Sequence, residues 1–353
     1  SAAIGPDGTA YIGLHNGELF ALRDPGTGNQ LAARWSFHPP GGSSWHATPA
    51  ISNDGTIYIG FSSNSADPSA SRGVLYALRA PSAGIEPQVV WTVDLGPGRQ
   101  SASPTIGPDG TIYAVSGMGR LSAISPEGEV RWTAQTGPTL KASPALGPDG
   151  TVYVSSMNGK LYAVAPPGTI RWTFRFAEFP GTGTPVISHS PPAGADGMGS
   201  GASPTVAPDG TVYVGANNSN FYALAPDGRL LWMFQAQREI AGIWSTAALS
   251  ADGTTLYFGA NKGGIYAVNR EDGSLRWQHP ILGSIYSSPA LDAAGHLYTG
   301  STAGHLIELD AATGEALFDY TAGAPIWTAP AIRPDGTLIV ADRNGRVMLF
   351  GEG

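Results

Sequence analysis

The stretch SPTIGPDGTIY at residues 103–113 returns as SPALGPDGTVY at 143–153 and as SPTVAPDGTVY at 203–213. A chain that rewrites one phrase folds as a series of like units, which limits its architecture more than any local pattern does. The aspartate of the PDG-type turn serves as a ruler. It stands at Asp7, Asp54, Asp109, Asp149, Asp209, Asp252 and Asp335, and Ala294 of DAAGHLY fills the remaining slot. There are thus eight units, spaced 40 to 60 residues apart.

Each unit has the same grammar. A Ser/Thr-Pro step opens a short apolar run, as in Ser143-Pro144-Ala145-Leu146, and a Pro-Asp-Gly turn follows. The second run is rich in β-formers (Thr151-Val152-Tyr153-Val154), the third is Lys160-Leu161-Tyr162-Ala163-Val164, and the fourth is Thr169-Ile170-Arg171-Trp172. Four short strands joined by tight turns make an antiparallel meander. No helical apolar period competes with this reading. The chain is therefore expected to be all-β: one eight-bladed β-propeller of four-stranded antiparallel blades, residues 1–353. A single twisted sheet cannot bury both faces, whereas blades stacked in a closed ring bury them and leave few edges. The expected blades are approximately 1–37, 46–93, 101–134, 141–174, 201–234, 244–279, 286–321 and 327–353. Inner strands begin with small residues (Thr48, Ser103, Ser143, Ser203, Thr246, Ser288, Ala329), because bulk would clash where eight strands converge.

Composition narrows the partners. Charged residues are only 13%, against a usual share of roughly 25%, and the net charge is −8. There are three lysines and no Lys/Arg run, so neither nucleic acid nor an anionic membrane surface is an expected partner. The absence of cysteine excludes disulfides, thiolate metal sites and a cysteine nucleophile. No apolar run is long enough for a transmembrane segment. The chain opens at Ser1 without a methionine, which suggests a removed upstream segment and a domain tethered or fused through it.

Fourth strands carry Trp35, Trp91, Trp132, Trp172, Trp232 and Trp277, with Phe318 in unit seven. Most follow a glycine by four residues: Gly128 to Trp132, Gly168 to Trp172, Gly228 to Trp232, Gly273 to Trp277. DAATGEALF at 310–318 is nearly the full phrase. This resembles the tryptophan-docking motif, roughly A-x-D-x-x-T-G-x-x-x-W, of the pyrroloquinoline quinone (PQQ) repeat superfamily. That superfamily holds eight-bladed quinoprotein alcohol dehydrogenases and the non-enzymatic, BamB-like outer-membrane assembly lipoproteins. The indoles are expected to pack between blades. Unit eight supplies three strands and stops at GEG. The expectation is a fourth strand from upstream of Ser1, or a three-stranded blade whose open edge takes a partner strand by β-augmentation.

Loops joining one blade to the next share a face with the loops between strands two and three. The residue three before the inner-strand proline reads, blade by blade, His46, Ser101, Lys141, Gly201, Trp244, Tyr286 and Trp327. Trp45, His46, Lys141, Trp244, Tyr286 and Trp327 are the candidate binding residues of the channel mouth, as a stacking surface or as a plug. Two insertions, 61–73 and 175–201, fall on the same face. The second carries Glu178, His189 and Asp196, whose spacing fits no metal motif, and Arg238 and Glu239 precede the Trp244 strand. No catalytic set and no metal site is predicted.

The first functional expectation is a non-catalytic binding or scaffold propeller outside the cytoplasm, periplasmic or at the cell surface. It would hold a protein partner through its loop face or its open edge, with no cofactor. The resemblance also implies an alternative, a dehydrogenase using PQQ with Ca²⁺, for which Glu178, Asp196 and Glu239 are the only acidic candidates. Such enzymes often carry an adjacent-cysteine disulfide over the cofactor, which this chain lacks. A second alternative is a propeller that binds or acts on a glycan or other small molecule across its aromatic crescent.

Overall fold

In the phrase at 103–113, the proline-led pair Thr105–Ile106 runs antiparallel to Ile112–Val115 across the PDG turn. Arg120–Ile124 and Val130–Gln135 complete the blade in strict chain order. The computed structural model describes residues 1–353 except 15–16, 24–30, 40–41, 44–46, 64–70, 82–85, 139–141, 177–198, 237–241 and 352–353. Within those residues the meander recurs from the blade opening at Ala2–Ile4 to the three-stranded blade Ala331–Ile332, Leu338–Ala341 and Val347–Phe350. The fold is an eight-bladed propeller whose last blade lacks an outer strand. Blade two differs from the simple meander. A two-residue strand, Gly42–Ser43, joins Ile57–Ser63 beyond the inner strand Ala50–Ile51 and gives that sheet a fifth member.

The core lies between blades. Eight apolar clusters fill the eight interfaces, each mixing the facing sides of two neighbours. Ala10, Ile12 and Leu22 of blade one pack with Ile339 of blade eight, so the ring is closed by burial. A second closure runs nearer the axis. Serine hydroxyls at inner-strand starts accept backbone N–H groups of the preceding blade: Thr48 to Ser103 at 2.7 Å, Ser103 to Ser143 at 3.0 Å, Ser143 to Ser203 at 2.9 Å and Thr246 to Ser288 at 2.9 Å. Ala329 donates to Ser1 Oγ at 2.9 Å across the seam. Small size accounts for only part of that position, because a hydroxyl also satisfies a donor that converging strands would otherwise bury.

Each indole sits over the next blade. Trp91 Nε1 donates to Pro126 O at 2.8 Å, Trp172 to Pro226 O at 2.9 Å, Trp232 to Arg270 O at 2.9 Å and Trp277 to Ala311 O at 3.0 Å. The acceptors belong to the turn between strands three and four, and the glycine of that turn lies under the ring. A Cβ on Gly128, Gly228, Gly273 or Gly314 would come within 2.5–2.8 Å of the indole above it. Glycine therefore serves twice here, by adopting positive φ and by letting the ring approach. Blade eight has no such turn among the described residues, and the residue that would dock on it is Phe318, 46% exposed and without an N–H to satisfy.

Candidate functional site

Loops between strands two and three bond to the loops that enter the same blade. Asn217 N–H donates to Gly199 O, Asn261 to Gly242 O, Thr302 to Ser284 O and Arg343 to Pro325 O, at 2.9–3.1 Å. These bonds put both loop sets on one face. Asparagines there are largely occupied in turns, as when Asn158 and Asn218 amides donate to the Tyr162 and Tyr222 hydroxyls at 2.8 and 2.7 Å.

On this face three predicted side chains meet. The Trp244 ring lies so close over blade five that a Cβ on Gly201 would sit 2.9 Å from it. Tyr286 stands edge-on to Trp244, with centroids 5.9 Å apart and planes at 87°. Trp327 follows at 5.5 Å and 56°, and the Arg343 guanidinium carbon lies 4.1 Å above the Trp327 ring. The result is a continuous aromatic arc across blades five to eight, ending in a cation on an indole face. Leu282, in the loop entering blade seven, is 72% exposed. Trp45, His46, Lys141, Glu178, His189, Asp196, Arg238 and Glu239 lie outside the described residues.

The rings do not share a plane. Successive tilts of 87° and 56° make an uneven apolar surface, not a flat shelf for one sugar or quinone ring. Among the described residues no group of His, Asp or Glu has the arrangement to hold a metal ion. The acidic candidates for a Ca²⁺ site, Glu178, Asp196 and Glu239, lie outside the described residues.

Sequence reasoning missed a second cluster, on the side of blade seven turned towards blade eight. His296 Nδ1 lies 3.2 Å from Asp292 Oδ2 and 3.4 Å from Glu308 Oε1. The Tyr298 hydroxyl donates to the same two carboxylates at 3.3 and 3.4 Å. Burial, then the neighbouring Glu308 and Asp292, holds the Tyr298 hydroxyl well above the usual phenol range. The signal was present in the repeat. Blade seven reads Asp292 where blades one, three and four carry glycine, Ala294 for the turn aspartate, His296 for threonine, Glu308 for alanine and Phe318 for tryptophan. All five positions belong to the side of blade seven turned towards blade eight, where a groove of about 780 Å³ opens.

The four-stranded blades tie their fourth strand back to the turn. At the Trp-paired residue the ladder shifts by one, so the residue before the tryptophan is a bulge. A bulge re-aims its side chain. In blades one, three and four that residue is arginine, and it reaches the turn aspartate of its own blade: Arg34 to Asp7 at 3.3 Å, Arg131 to Asp109 at 3.2 Å, Arg171 to Asp149 at 2.5 Å. The turn aspartates also accept hydrogen bonds from the serine or threonine beside them, which hold the carboxyls below their ordinary range. For Asp109 the Thr111 hydroxyl contributes most, then the Thr111 N–H. For Asp252 the Ser250 hydroxyl leads, followed by the Thr254 N–H and hydroxyl, and the value falls to about 2.

A profile of the family described as outer membrane protein assembly factor BamB matches residues 117–285, from blade three to the loop entering blade seven. The crystal structure of BamB from Moraxella catarrhalis superposes with a TM-score of 0.71 at 16% identity, covering 99% of this chain and 95% of that one. At that identity the likeness speaks for the fold. Comparison with curated proteins finds no match. The repeat, the docked indoles and the profile match over residues 117–285 make this chain an eight-bladed propeller similar to the PQQ-repeat, BamB-like proteins.

Proposed function

We propose that this propeller is a non-catalytic, BamB-like scaffold that works outside the cytoplasm and holds a partner protein across its aromatic arc. The observation that carries this reading is the run Trp244–Tyr286–Trp327, capped by Arg343, with the exposed Leu282 in the loop entering blade seven. Tryptophan, tyrosine and arginine are the residues in which binding energy concentrates at protein interfaces. Their tilted packing suits side chains of varied shape better than one planar ligand. The extracytoplasmic setting rests on the BamB profile, and no described helix is long and apolar enough to cross a membrane.

The test is affinity capture from an envelope extract with the wild type, Trp327→Ala and Leu282→Ser. The wild type should retain a discrete protein, with Trp327→Ala weakening retention on the order of tenfold or more. A scaffold of this kind leaves Trp fluorescence unchanged on titration with oligosaccharides. A saturable shift lost in Trp244→Ala, with no protein retained, would make the arc a glycan site. Quinone absorbance that survives desalting after addition of PQQ and Ca²⁺, together with dye-linked alcohol oxidation, would make the protein a dehydrogenase.

A further inference from the structure

We infer that the partner held on the aromatic arc is an acidic protein segment, whose carboxylates meet Arg343 at one end of the arc and Lys262 at the other. The inference rests on the scaffold reading of the same face and names the chemistry of its occupant.

Arg343 marks the first end. Its backbone N–H donates to Pro325 O at 2.9 Å and its guanidinium lies on the Trp327 ring, but no described acceptor takes its side-chain N–H groups. A guanidinium stacked on an indole keeps its in-plane donors, and their fork matches a carboxylate. The neighbouring Asp342 does not compete for them. It is buried, and its Oδ1 accepts the Asn344 and Arg346 N–H groups at 2.9 and 3.0 Å.

Lys262 marks the second end. Asn261 N–H donates to Gly242 O at 3.1 Å, and a Cβ on Gly242 would sit 3.2 Å from Trp244 Nε1. The next residue, Lys262, therefore stands on the Trp244 side of the arc. It is exposed and in no ion pair with a described carboxylate. Its backbone adds a second observation. Lys262 has φ 61°, in the left-handed region that the corresponding loops of blades three, four, seven and eight fill with Gly119, Gly159, Gly304 and Gly345. A lysine in a glycine's conformation costs stability, and such strain concentrates where a side chain has a task.

The charge of the whole molecule agrees. Among the described residues, loops and strand ends on the face of the arc carry eight Lys and Arg against four Asp and Glu. Two of those four acids are occupied, Asp94 by Arg72 and Asp319 by His305. The opposite face, where the PDG-type turns lie, carries nine Arg against sixteen Asp and Glu among the described residues. A chain of net charge −8 thus turns its positive face to the partner. A field of this sense steers an acidic protein onto the arc and away from the turns.

The probe is a labelled peptide that alternates Asp or Glu with Leu or Phe, compared with its Asn/Gln counterpart by fluorescence anisotropy against the full chain. The acidic peptide should bind saturably, on the order of tenfold tighter than the amide peptide, and lose that advantage as salt is raised to about 1 M. Arg343→Gln and Lys262→Gly should each weaken its binding about threefold or more. Lys262→Gly also relieves the backbone, so its melting temperature should not fall, which separates lost binding from lost fold. Asp252→Asn, on the opposite face, should leave peptide binding unchanged. Equal binding of the two peptides, full binding by Lys262→Gly, or tighter binding of a single-stranded oligonucleotide would overturn the inference. Capture of an envelope protein that still depends on Trp327 but not on Lys262 or Arg343 would overturn it too, and would leave the arc reading standing.

Discussion

At the scale of residues, the propeller depends on pairs in which one blade's indole lies on another blade's glycine. Gly314→Ala tests this, with Gly336→Ala as its control. Both glycines have positive φ, 76° and 83°. A left-handed non-glycine residue costs about 1–2 kcal/mol at either position. Only at Gly314 would the new Cβ also strike an indole, 2.6 Å from Trp277, whereas nothing lies within 4 Å at Gly336. Overpacking adds roughly 1–3 kcal/mol, so chemical denaturation should find Gly314→Ala the less stable by that margin. Trp277→Phe removes one of two donors to Ala311 O, which also accepts the Tyr257 hydroxyl at 3.0 Å, and should cost about 0.5–1.5 kcal/mol. Phe318→Trp should be neutral within about 0.5 kcal/mol, because no described carbonyl awaits its N–H. The docking tryptophans and their glycines were legible in the sequence because the four-residue interval recurs. The interblade serine bonds were not. A serine at a strand start reads as small, and only convergence of strands turns its hydroxyl into an acceptor.

At the scale of elements, the PDG-type turn is a repeated electrostatic unit. Its carboxyl is depressed in the folded state, for Asp252 from 3.8 to about 2 by the Ser250 hydroxyl and the Thr254 N–H and hydroxyl. A depressed carboxyl stabilises the fold fully above its unfolded value, and that contribution is lost as pH falls through the folded one. The protein should therefore lose stability between about pH 4 and pH 2. Asp252→Asn should flatten that slope, as followed by thermal unfolding at successive pH values. The turns themselves could be read from the sequence. The bulge before each tryptophan could not, because an extra residue in one strand leaves the local pattern unchanged and appears only in the pairing register. With it went the reason for arginine at 34, 131 and 171. The blade-seven departures at 292, 296 and 308 were visible as letters but meant nothing until the fold turned them towards one groove.

At the scale of the whole molecule, eight wedge-shaped cores make each blade depend on both neighbours. Ile339 is fully buried at the seam between blades eight and one. Ile339→Ala should cost about 2–5 kcal/mol. Hydrogen exchange should show both seam blades loosened together, while blades three to five keep their protection. The aromatic arc is likewise a property of the ring, since its three rings lie about 40 residues apart in sequence and become neighbours only when blades six to eight stack. Its members were legible by aligning inner strands, but their mutual tilt was not, and the tilt favours a protein over a flat ligand. The most direct test of that claim is a photo-crosslinking residue placed at position 286, activated in intact envelopes. The account predicts one discrete protein adduct, lost when Trp327 is changed to alanine and absent when the crosslinker sits instead at Asp252, in a PDG-type turn away from the arc. No protein adduct at 286, or an equal one at 252, would contradict it.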